Sequence, residues 1–309
     1  MGREIRNLES MLEAAKAAGP VPVAVACGHD LAALQALLTA EKHGLASSLL
    51  VGDAGQIGPA IRALPERLRS AEIVDAATEE EADRLAVELV RNGQAGVLLK
   101  GKTKTATLLH AALDRETGLR TGSLLSDAFL FEYQSPEGTR LVCITDGGIN
   151  VSPDLDAKRQ ILLNAVEVYH ALGVEKPRVA CVSAVETVIP GHRASEDAAA
   201  LAKMAEAGDL GDCLVEGPLS LDLAVSPHAV ALKGHRGPVA GYADILLCPD
   251  IVSANLLAKS TTYFAKAPLT HIIMGSKAPI LIPSRSDTPS AKLHSIALAV
   301  LMLKKVWNS

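Results

Sequence analysis

The chain has 309 residues and a formal net charge of −5, and it is 49% hydrophobic with only 3% aromatic residues. Acids and bases are interspersed, which excludes the clustered basic face of a nucleic-acid-binding protein, and no apolar run approaches the roughly 20 residues needed to cross a bilayer. The five cysteines are scattered without a C-x-x-C pair. We therefore expect a soluble cytoplasmic protein whose core is built from Ala, Leu, Val and Ile.

Helix and strand patterns alternate along the first 120 residues. A helix is predicted over Ile5–Ala18, and the buried strand VPVAVAC follows it. Asp30 is expected to cap the next helix, and Thr78 with Glu81 forms a capping box before ADRLAVELVRNG. SSLLVGD and GVLLKG read as further strands. GDAGQIG does not match the dinucleotide fingerprint G-x-G-x-x-G, and we predict that it forms a turn.

The alternation is interrupted near residue 122. SLLSDAFLFEY and TRLVCITDGG flank the turn-rich QSPEG, a pattern that predicts an antiparallel hairpin and a domain crossing. The alternation then resumes with a helix from about Leu155 to Leu172, a second helix capped by Ser195, and the strands RVACVS, DILLCPD, THIIMGS and PILIP. The predicted class is α/β with a mostly parallel sheet in each half.

In such folds ligands bind beside the carboxyl ends of the strands, so the loops after strands are the candidate sites. After PILIP come Ser284 and Arg285, then Asp287 and Thr288, and a helix that starts at Pro289. The free N–H groups of a helix N-terminus and a planar guanidinium both suit phosphate oxygens. This junction predicts an anion pocket, although a surface arginine beside a turn serine would give the same pattern.

The stretch GVLLKGKTKTATLLHAAL matches the P-loop pattern G-x-x-x-x-G-K-[ST]. In a true P-loop the first glycine follows the strand, whereas here Gly96 precedes it, so we interpret the match as false. Lys100, Thr103 and Thr105 still crowd a strand exit and a helix start. They predict a second phosphate-binding loop, with a solvated basic loop as the alternative.

Two further clusters follow predicted strands. In the first, Asp146 precedes two glycines, which would let backbone approach a ligand closely, and Asn150 and Lys158 come next. The second cluster contains Asp250, Asn255 and Lys259. Each of these residues taken alone has an ordinary structural explanation, such as a helix cap or a solvated charge.

The order of these segments is more specific than any one of them. EGPLSLD, ADILLCPD and SRSD, together with VLLKGKTKTATLLHAAL and ITDGGINVSPDLDAKRQILLNAV, resemble the phosphate acetyltransferase and phosphate butyryltransferase family. The resemblance covers about residues 45–300 and is closer to the shorter, butyryl-type members.

This resemblance implies a fold and an activity. The fold is two αβα domains with mostly parallel sheets and an interdomain cleft, similar to the isocitrate and isopropylmalate dehydrogenases. The first domain would comprise residues 1–125 and 275–309, and the inserted second domain residues 126–274. The implied reaction is reversible acyl transfer between coenzyme A and inorganic phosphate in a homodimer. Coenzyme A is a substrate there, and neither a metal nor a tightly bound cofactor takes part.

The resemblance also implies roles for individual residues. Ser284 and Arg285 would bind the phosphoryl group and the charge that develops during transfer, and Ser126 falls among the substrate-binding positions. The aspartate proposed as a base for the thiol in some acetyl-specific members falls near Ala291 and is missing here. Asp287 is the candidate substitute, and the alternative is that the reaction needs no such base.

Two alternatives stay open from the sequence alone. The first is an NAD(P)- and metal-dependent hydroxy-acid dehydrogenase on the same fold, and the second is a non-catalytic protein that binds acyl-CoA or acyl phosphate. The direct reaction would need a ternary complex in which the thiolate attacks the acyl phosphate, without an acyl-enzyme.

Overall fold

The computed structural model describes residues 4–284 and 287–308, with side chains as far as residue 303. The helices are α1 Leu8–Ala18, α2 Leu31–Lys42, α3 Ala54–Arg62, α4 Glu79–Arg91, α5 Thr105–Ala112, α6 Leu155–Ala171, α7 Arg193–Glu206, α8 Leu221–Val225, α9 Pro227–Lys233, α10 Ile251–Tyr263 and α11 Pro289–Asn308. The strands are β1 Val21–Ala26, β2 Ala46–Gly52, β3 Ala71–Asp75, β4 Val97–Lys100, β5 Ser126–Ser135, β6 Gly138–Thr145, β7 Arg178–Val182, β8 Leu214–Leu219, β9 Ile245–Leu247, β10 Thr270–Met274 and β11 Ile280–Leu281.

These elements form two compact units. We call Glu9–Ser123 with Thr270–Ser309 the terminal unit, and Met1–Leu8 with Leu124–Leu269 the central unit. Each unit has its own hydrophobic core and its own set of paired strands.

The strands of the terminal unit follow the order β3-β2-β1-β4-β11-β10. All these pairs are parallel except that of β10 with β11. Every residue of β1 except Pro22 is buried. Such continuous burial is typical of a parallel strand that is covered on both faces.

The strands of the central unit follow the order β5-β6-β9-β7-β8. β5 and β6 are the predicted antiparallel hairpin, with Ser135 opposite Gly138 at its turn. The remaining pairs are parallel. The predicted α/β class with mostly parallel pairing is confirmed.

Local capping explains where several helices begin. The Asp30 carboxylate accepts the Ala33 N–H at 2.8 Å at the start of α2. The Thr78 hydroxyl accepts the Glu81 N–H at 3.1 Å at the start of α4. Both predicted caps are confirmed.

Three local predictions are wrong. GDAGQIG begins helix α3 instead of forming a turn, because Asp53 caps it through the Gly55 N–H at 2.7 Å and Ile57 is fully buried. Helix α7 begins at Arg193 with His192 as its cap residue, so Ser195 lies inside the first turn, where its hydroxyl donates to the His192 carbonyl at 2.9 Å. The first helix also starts at Leu8 rather than at Ile5.

Within the described part of the chain, no helix combines the length and the apolar character needed to cross a lipid bilayer.

Candidate functional site

The candidate site in the terminal unit lies at the carboxyl edge of its parallel strands. Ala26 at the end of β1 is opposite Lys100 at the end of β4, and Leu99 is opposite Leu281 of β11. The loops that follow β4 and β11 are therefore neighbours at one edge. The structure thus brings together the two loops that the sequence singled out for phosphate binding.

The loop after β11 is closed by hydrogen bonds between its two ends. The Ser284 N–H donates to the Asp287 carboxylate at 2.7 Å, and the Asp287 N–H donates to the Ser284 carbonyl at 3.1 Å. Thr288 accepts the Ala291 N–H at 3.1 Å, which makes it the cap of α11, and Pro289 is the first helical residue as predicted. The predicted phosphoryl ligand Arg285 lies outside the described residues.

Asp287 therefore has a structural task. Its carboxylate holds the Ser284 backbone, and the same oxygen lies 3.7 Å from Nε2 of the buried His271. Because the Asp287 carboxylate accepts the Ser284 N–H, it holds the loop after β11 in place. This structural role does not depend on whether Asp287 also transfers a proton.

The loop after β4 is held tightly against the end of β1. The Gly101 N–H donates to the Ala26 carbonyl at 2.9 Å, and the Lys102 N–H donates to the Cys27 carbonyl at 3.0 Å. A Cβ atom at position 101 would collide with both carbonyl oxygens, so only glycine fits there. Gly96 precedes β4, which supports the interpretation of the P-loop match as false.

The two predicted threonines of this loop have different surroundings. Thr103 is buried, and its hydroxyl donates to the Asp83 carboxylate at 2.8 Å. Thr105 is exposed at the first residue of α5. Lys100 is half-buried, and its ammonium donates to the Gly101 carbonyl at 3.3 Å. Thr105 and Lys100 are therefore the predicted residues of this loop that solvent reaches.

Asp83 is a functional candidate that the sequence patterns did not single out. It is completely buried in α4, and burial raises the pKa of its carboxyl to about 6 although the Thr103 hydroxyl bond opposes the rise. The sequence did contain a sign of this burial, because Asp83 lies on the same face of α4 as the apolar residues Ala82, Ala86 and Val90.

In the central unit, Asp146 follows β6 and organises the loop after it. One carboxylate oxygen accepts the N–H groups of Asp127, Gly148 and Ile149 at 2.9–3.2 Å, and the other accepts the Asn150 backbone N–H at 3.1 Å and its side-chain amide at 2.5 Å. Asp146 is buried. The carboxylate therefore fixes the loop from within.

The two glycines after Asp146 are explained by protein neighbours. A Cβ atom at Gly147 would lie 2.8 Å from the Phe129 ring and 3.2 Å from the Asn255 backbone nitrogen. A Cβ atom at Gly148 would collide with the Asp127 carboxylate. These contacts explain why glycine is needed at both positions, and the approach of a ligand to this loop stays a prediction.

Ser126 is buried and belongs to a small amide network. The Asn164 amide donates to the Ser126 hydroxyl and to the Leu124 carbonyl, both at 2.8 Å. The Asn150 amide donates to the Leu125 carbonyl at 2.8 Å. The network anchors the segment that leads into β5, and Asn164 was not singled out from the sequence.

Lys158 forms a buried ion pair. Its ammonium lies 2.7 Å from the Asp197 carboxylate, and the two side chains are 5% and 14% exposed. Arg193 approaches the same carboxylate at 3.5 Å. The ammonium of Lys158 is thus paired with a carboxylate 39 residues away in the sequence. No local sequence pattern indicated this pairing.

The remaining predicted residues belong to α10. The Asp250 carboxylate caps this helix by accepting the Ser253 N–H at 2.8 Å. Asn255 is exposed and donates its amide to the Gly147 carbonyl at 2.8 Å, and the half-buried Lys259 is one turn further along the same helix face. Lys259 and Asn255 are therefore open to solvent.

The central unit also contains a cavity of about 840 Å³ at the amino-terminal edge of its strands. Arg140, Arg178 and Asp244 line it near the starts of β6, β7 and β9. Of the predicted site residues that the structure describes, none lines this cavity. The chemistry predicted from the sequence is thus at the other end of these strands.

Comparison with known proteins gives a consistent result. A family model described as "Phosphate acetyl/butaryl transferase" matches residues 79–300. "Probable phosphate butyryltransferase" of Bacillus subtilis (strain 168) is 45% identical over 278 residues, which are 90% of this chain and 92% of that protein. "Phosphate butyryltransferase" of Clostridium beijerinckii is 39% identical over 297 residues, 96% of this chain and 98% of that protein.

A solved structure agrees with these relatives. The branched-chain phosphotransacylase from Enterococcus faecalis V583 matches with a TM-score of 0.80 and 34% identity, over 92% of this chain and 99% of that one. The family model and the relatives both span the two loops of the terminal unit and the loops of the central unit. The chain therefore belongs to the phosphate acetyl/butyryl transferase family.

Proposed function

We propose that this protein is an acyltransferase that moves a short acyl group reversibly between coenzyme A and inorganic phosphate. Family membership carries the proposal, because the matched residues 79–300 include both loops that we predict to bind phosphate at the edge of the terminal unit. Two phosphate butyryltransferases and a branched-chain phosphotransacylase among the relatives support a four-carbon or branched acyl group, and acetyl is the alternative, since a phosphate acetyltransferase of Thermotoga maritima is 38% identical over 294 residues.

The chemistry sets the demands on the site. In the direction of acyl-CoA synthesis, the thiolate sulfur attacks the carbonyl carbon of the acyl phosphate. The new C–S bond forms, the bond between that carbon and the phosphate oxygen breaks, and phosphate leaves with the electron pair. A thiol with a pKa near 8.5 must first give up its proton to a base or to water.

Negative charge grows on the carbonyl oxygen and on the leaving phosphate during this step. Donors and cations that are already in place stabilise this charge without reorganisation, and losing one typically slows the reaction about 10²–10³-fold. In our proposal Ser284 and Arg285 supply such donors, supported by the partial positive charge at the start of α11. Lys100 and Thr105 bind further phosphate oxygens of the substrates.

Asp287 is proposed to position Ser284 rather than to remove the thiol proton. The support is geometric, since its carboxylate accepts the Ser284 N–H at 2.7 Å. An amide oxygen at the same place would accept that bond equally well, whereas a general base requires the carboxylate. This difference gives a direct test.

In the central unit the predicted residues differ in their exposure to solvent, and we propose different roles for the two groups. Asn255 and Lys259 on α10 are accessible and are proposed to contact coenzyme A. The others hold the loops beneath them through the contacts described above: Ser126, Asp146, Asn150, Lys158 and Asp250.

Several features stay predictions of the family resemblance. They are the homodimer, the location in the cytoplasm, the two-domain division with its cleft, and the lack of a tightly bound cofactor. None of these features is needed for the test of the reaction itself.

The decisive experiment measures free-thiol release from acetyl-, propionyl-, butyryl- and isobutyryl-CoA with and without inorganic phosphate. We expect release that depends on phosphate and is faster with butyryl- or isobutyryl-CoA than with acetyl-CoA. Release without phosphate would mean a thioesterase. Tight binding of acyl-CoA without turnover would mean a binding protein, and metal-dependent reduction of NAD⁺ by a hydroxy acid would mean a dehydrogenase.

A further inference from the structure

One buried lysine of the terminal unit has no counter-charge among the described residues. Lys292 is only 9% exposed, and among the residues that the structure describes its ammonium has no hydrogen-bond or ion-pair partner. It is the fourth residue of α11, with its backbone N–H donating to the Thr288 carbonyl at 3.2 Å. Its side chain lines a small cavity together with Pro283, His271 and Ser295.

This position is electrostatically unfavourable for a lysine. The N-terminal turn of a helix carries a partial positive charge that disfavours cations, and a side chain that is only 9% exposed leaves little water to solvate its charge. The acid nearest in sequence is Asp287. Its carboxylate accepts the Ser284 N–H and lies 3.7 Å from Nε2 of His271. The described part of the protein therefore leaves the cost of this charge uncompensated.

An anionic ligand would compensate it, and the surroundings indicate which one. Pro283, which shares the cavity with Lys292, directly precedes Ser284. The helix that carries Lys292 is also the one that follows the Ser284 loop, so the positive end of its dipole lies beside that loop. A serine hydroxyl, the positive end of a helix and an ammonium together suit an oxyanion with several oxygens.

We infer that Lys292 is a substrate-binding residue whose ammonium contacts the oxygens of inorganic phosphate, or of the phosphoryl group of acyl phosphate. The inference rests on the proposed function, since it places the phosphate of that reaction at the Ser284 loop. A thioester carries no charge at its reacting carbonyl. Loss of the ammonium is therefore expected to weaken phosphate binding much more than acyl-CoA binding.

The test uses Lys292→Met, which keeps the length and the apolar stem of the side chain and removes only the charge. Lys277→Met is the matched control, because Lys277 is an exposed lysine of the same unit and lies outside the proposed site. Two quantities are measured: KM for phosphate and for butyryl-CoA in thiol release, and the rise in melting temperature that inorganic phosphate produces.

We expect Lys292→Met to raise KM for phosphate about 10- to 100-fold, the usual range for a lost charged hydrogen bond. KM for butyryl-CoA should change little. The melting temperature without phosphate should not fall, but its rise with phosphate should be largely lost. Lys292→Arg should restore part of the phosphate affinity, and Lys277→Met should behave as wild type.

A phosphate KM and a phosphate-induced stabilisation that are unchanged in Lys292→Met would overturn the inference. If that variant fails to fold, Lys292→Gln and Lys292→Arg are compared in the same two measurements. A wild-type protein without phosphate-dependent thiol release would refute the proposed function separately. The melting experiment would still decide whether Lys292 binds phosphate, and no stabilisation of the wild type by phosphate would count against it.

Discussion

The buried carboxyl of Asp83 makes the stability of this protein depend on pH in a calculable way. Its side chain is completely buried and bonded to Thr103, and burial raises its pKa from 3.8 to about 6. Glu79 and Glu80 raise this pKa further, and Lys100 opposes the rise. The Cys27 thiol nearby has a pKa raised to about 12, chiefly by burial, so this thiol stays neutral throughout the pH range in which Asp83 titrates.

The sign follows from the direction of the change. The folded state holds the Asp83 proton more tightly than the unfolded chain does, so ionisation costs folding free energy. That cost is absent below pH 3.8, grows between 3.8 and about 6, and is constant above. Because each tenfold change in an ionisation equilibrium is worth about 1.4 kcal/mol, the full cost is about 3 kcal/mol, of which about 1.5 kcal/mol appears between pH 5 and pH 8.

The substitution Asp83→Asn isolates this effect. An amide oxygen can still accept the Thr103 hydroxyl, and the side chain no longer ionises. The free energy of unfolding, measured by urea titration and linear extrapolation, should therefore increase for Asp83→Asn relative to wild type by about 1.5 kcal/mol as the pH rises from 5 to 8. Any fixed cost of burying the amide is the same at every pH and cancels from this comparison.

The control is Asp209→Asn, which removes a carboxylate from an exposed position in the loop after α7. Its stability relative to wild type should show no comparable dependence on pH. A difference between Asp83→Asn and wild type that is constant from pH 5 to pH 8 would refute the reasoning, since it would mean that the buried carboxyl does not titrate in this range.

Three further substitutions test the site and its supports. Arg285→Ala should lower kcat about 10²–10³-fold in phosphate-dependent thiol release, and near-wild-type turnover at saturating substrate would remove Arg285 from the mechanism. Asp287→Asn should keep kcat within about threefold while Asp287→Ala loses more, because the turn needs only an acceptor; a loss of about 10² or more in the Asn variant would instead identify Asp287 as the general base. Lys158→Met should lower the free energy of unfolding by about 3 kcal/mol, because it leaves the carboxylate of Asp197, which is 14% exposed, with only Arg193 nearby. The double variant Lys158→Met, Asp197→Leu should recover most of that loss, and a urea midpoint unchanged by Lys158→Met alone would contradict a structural role.

Much of the architecture was predictable because its signals are local. Alternation of buried strands with capped helices predicted β1, β2 and β4, and the caps Asp30 and Thr78 are where the sequence placed them. The hairpin of β5 and β6 followed from turn residues between two apolar runs. These features depend on side chains within a few residues of each other, which is the range over which sequence patterns are informative.

The wrong predictions share a different origin. GDAGQIG looks like a turn because of its glycines, but burial of Ile57 in the core stabilises helix α3 there. Ser195 looks like a cap, yet helix α7 starts two residues earlier. In both cases tertiary packing outweighed the local preference, as it commonly does for short segments.

The class of fold, the strand ends at which to look for chemistry, and the segments that mark the family are all legible in the amino-acid sequence. Which polar residues face solvent and which bond within the protein depends on how the chain packs. Thr103 bonds to Asp83, Lys158 pairs with Asp197, and Ser126 meets Asn164, at separations of 20 to 39 residues. Such partners are chosen by the register of strands and the packing of helices, because a buried polar group must find its partner wherever the folded chain brings one.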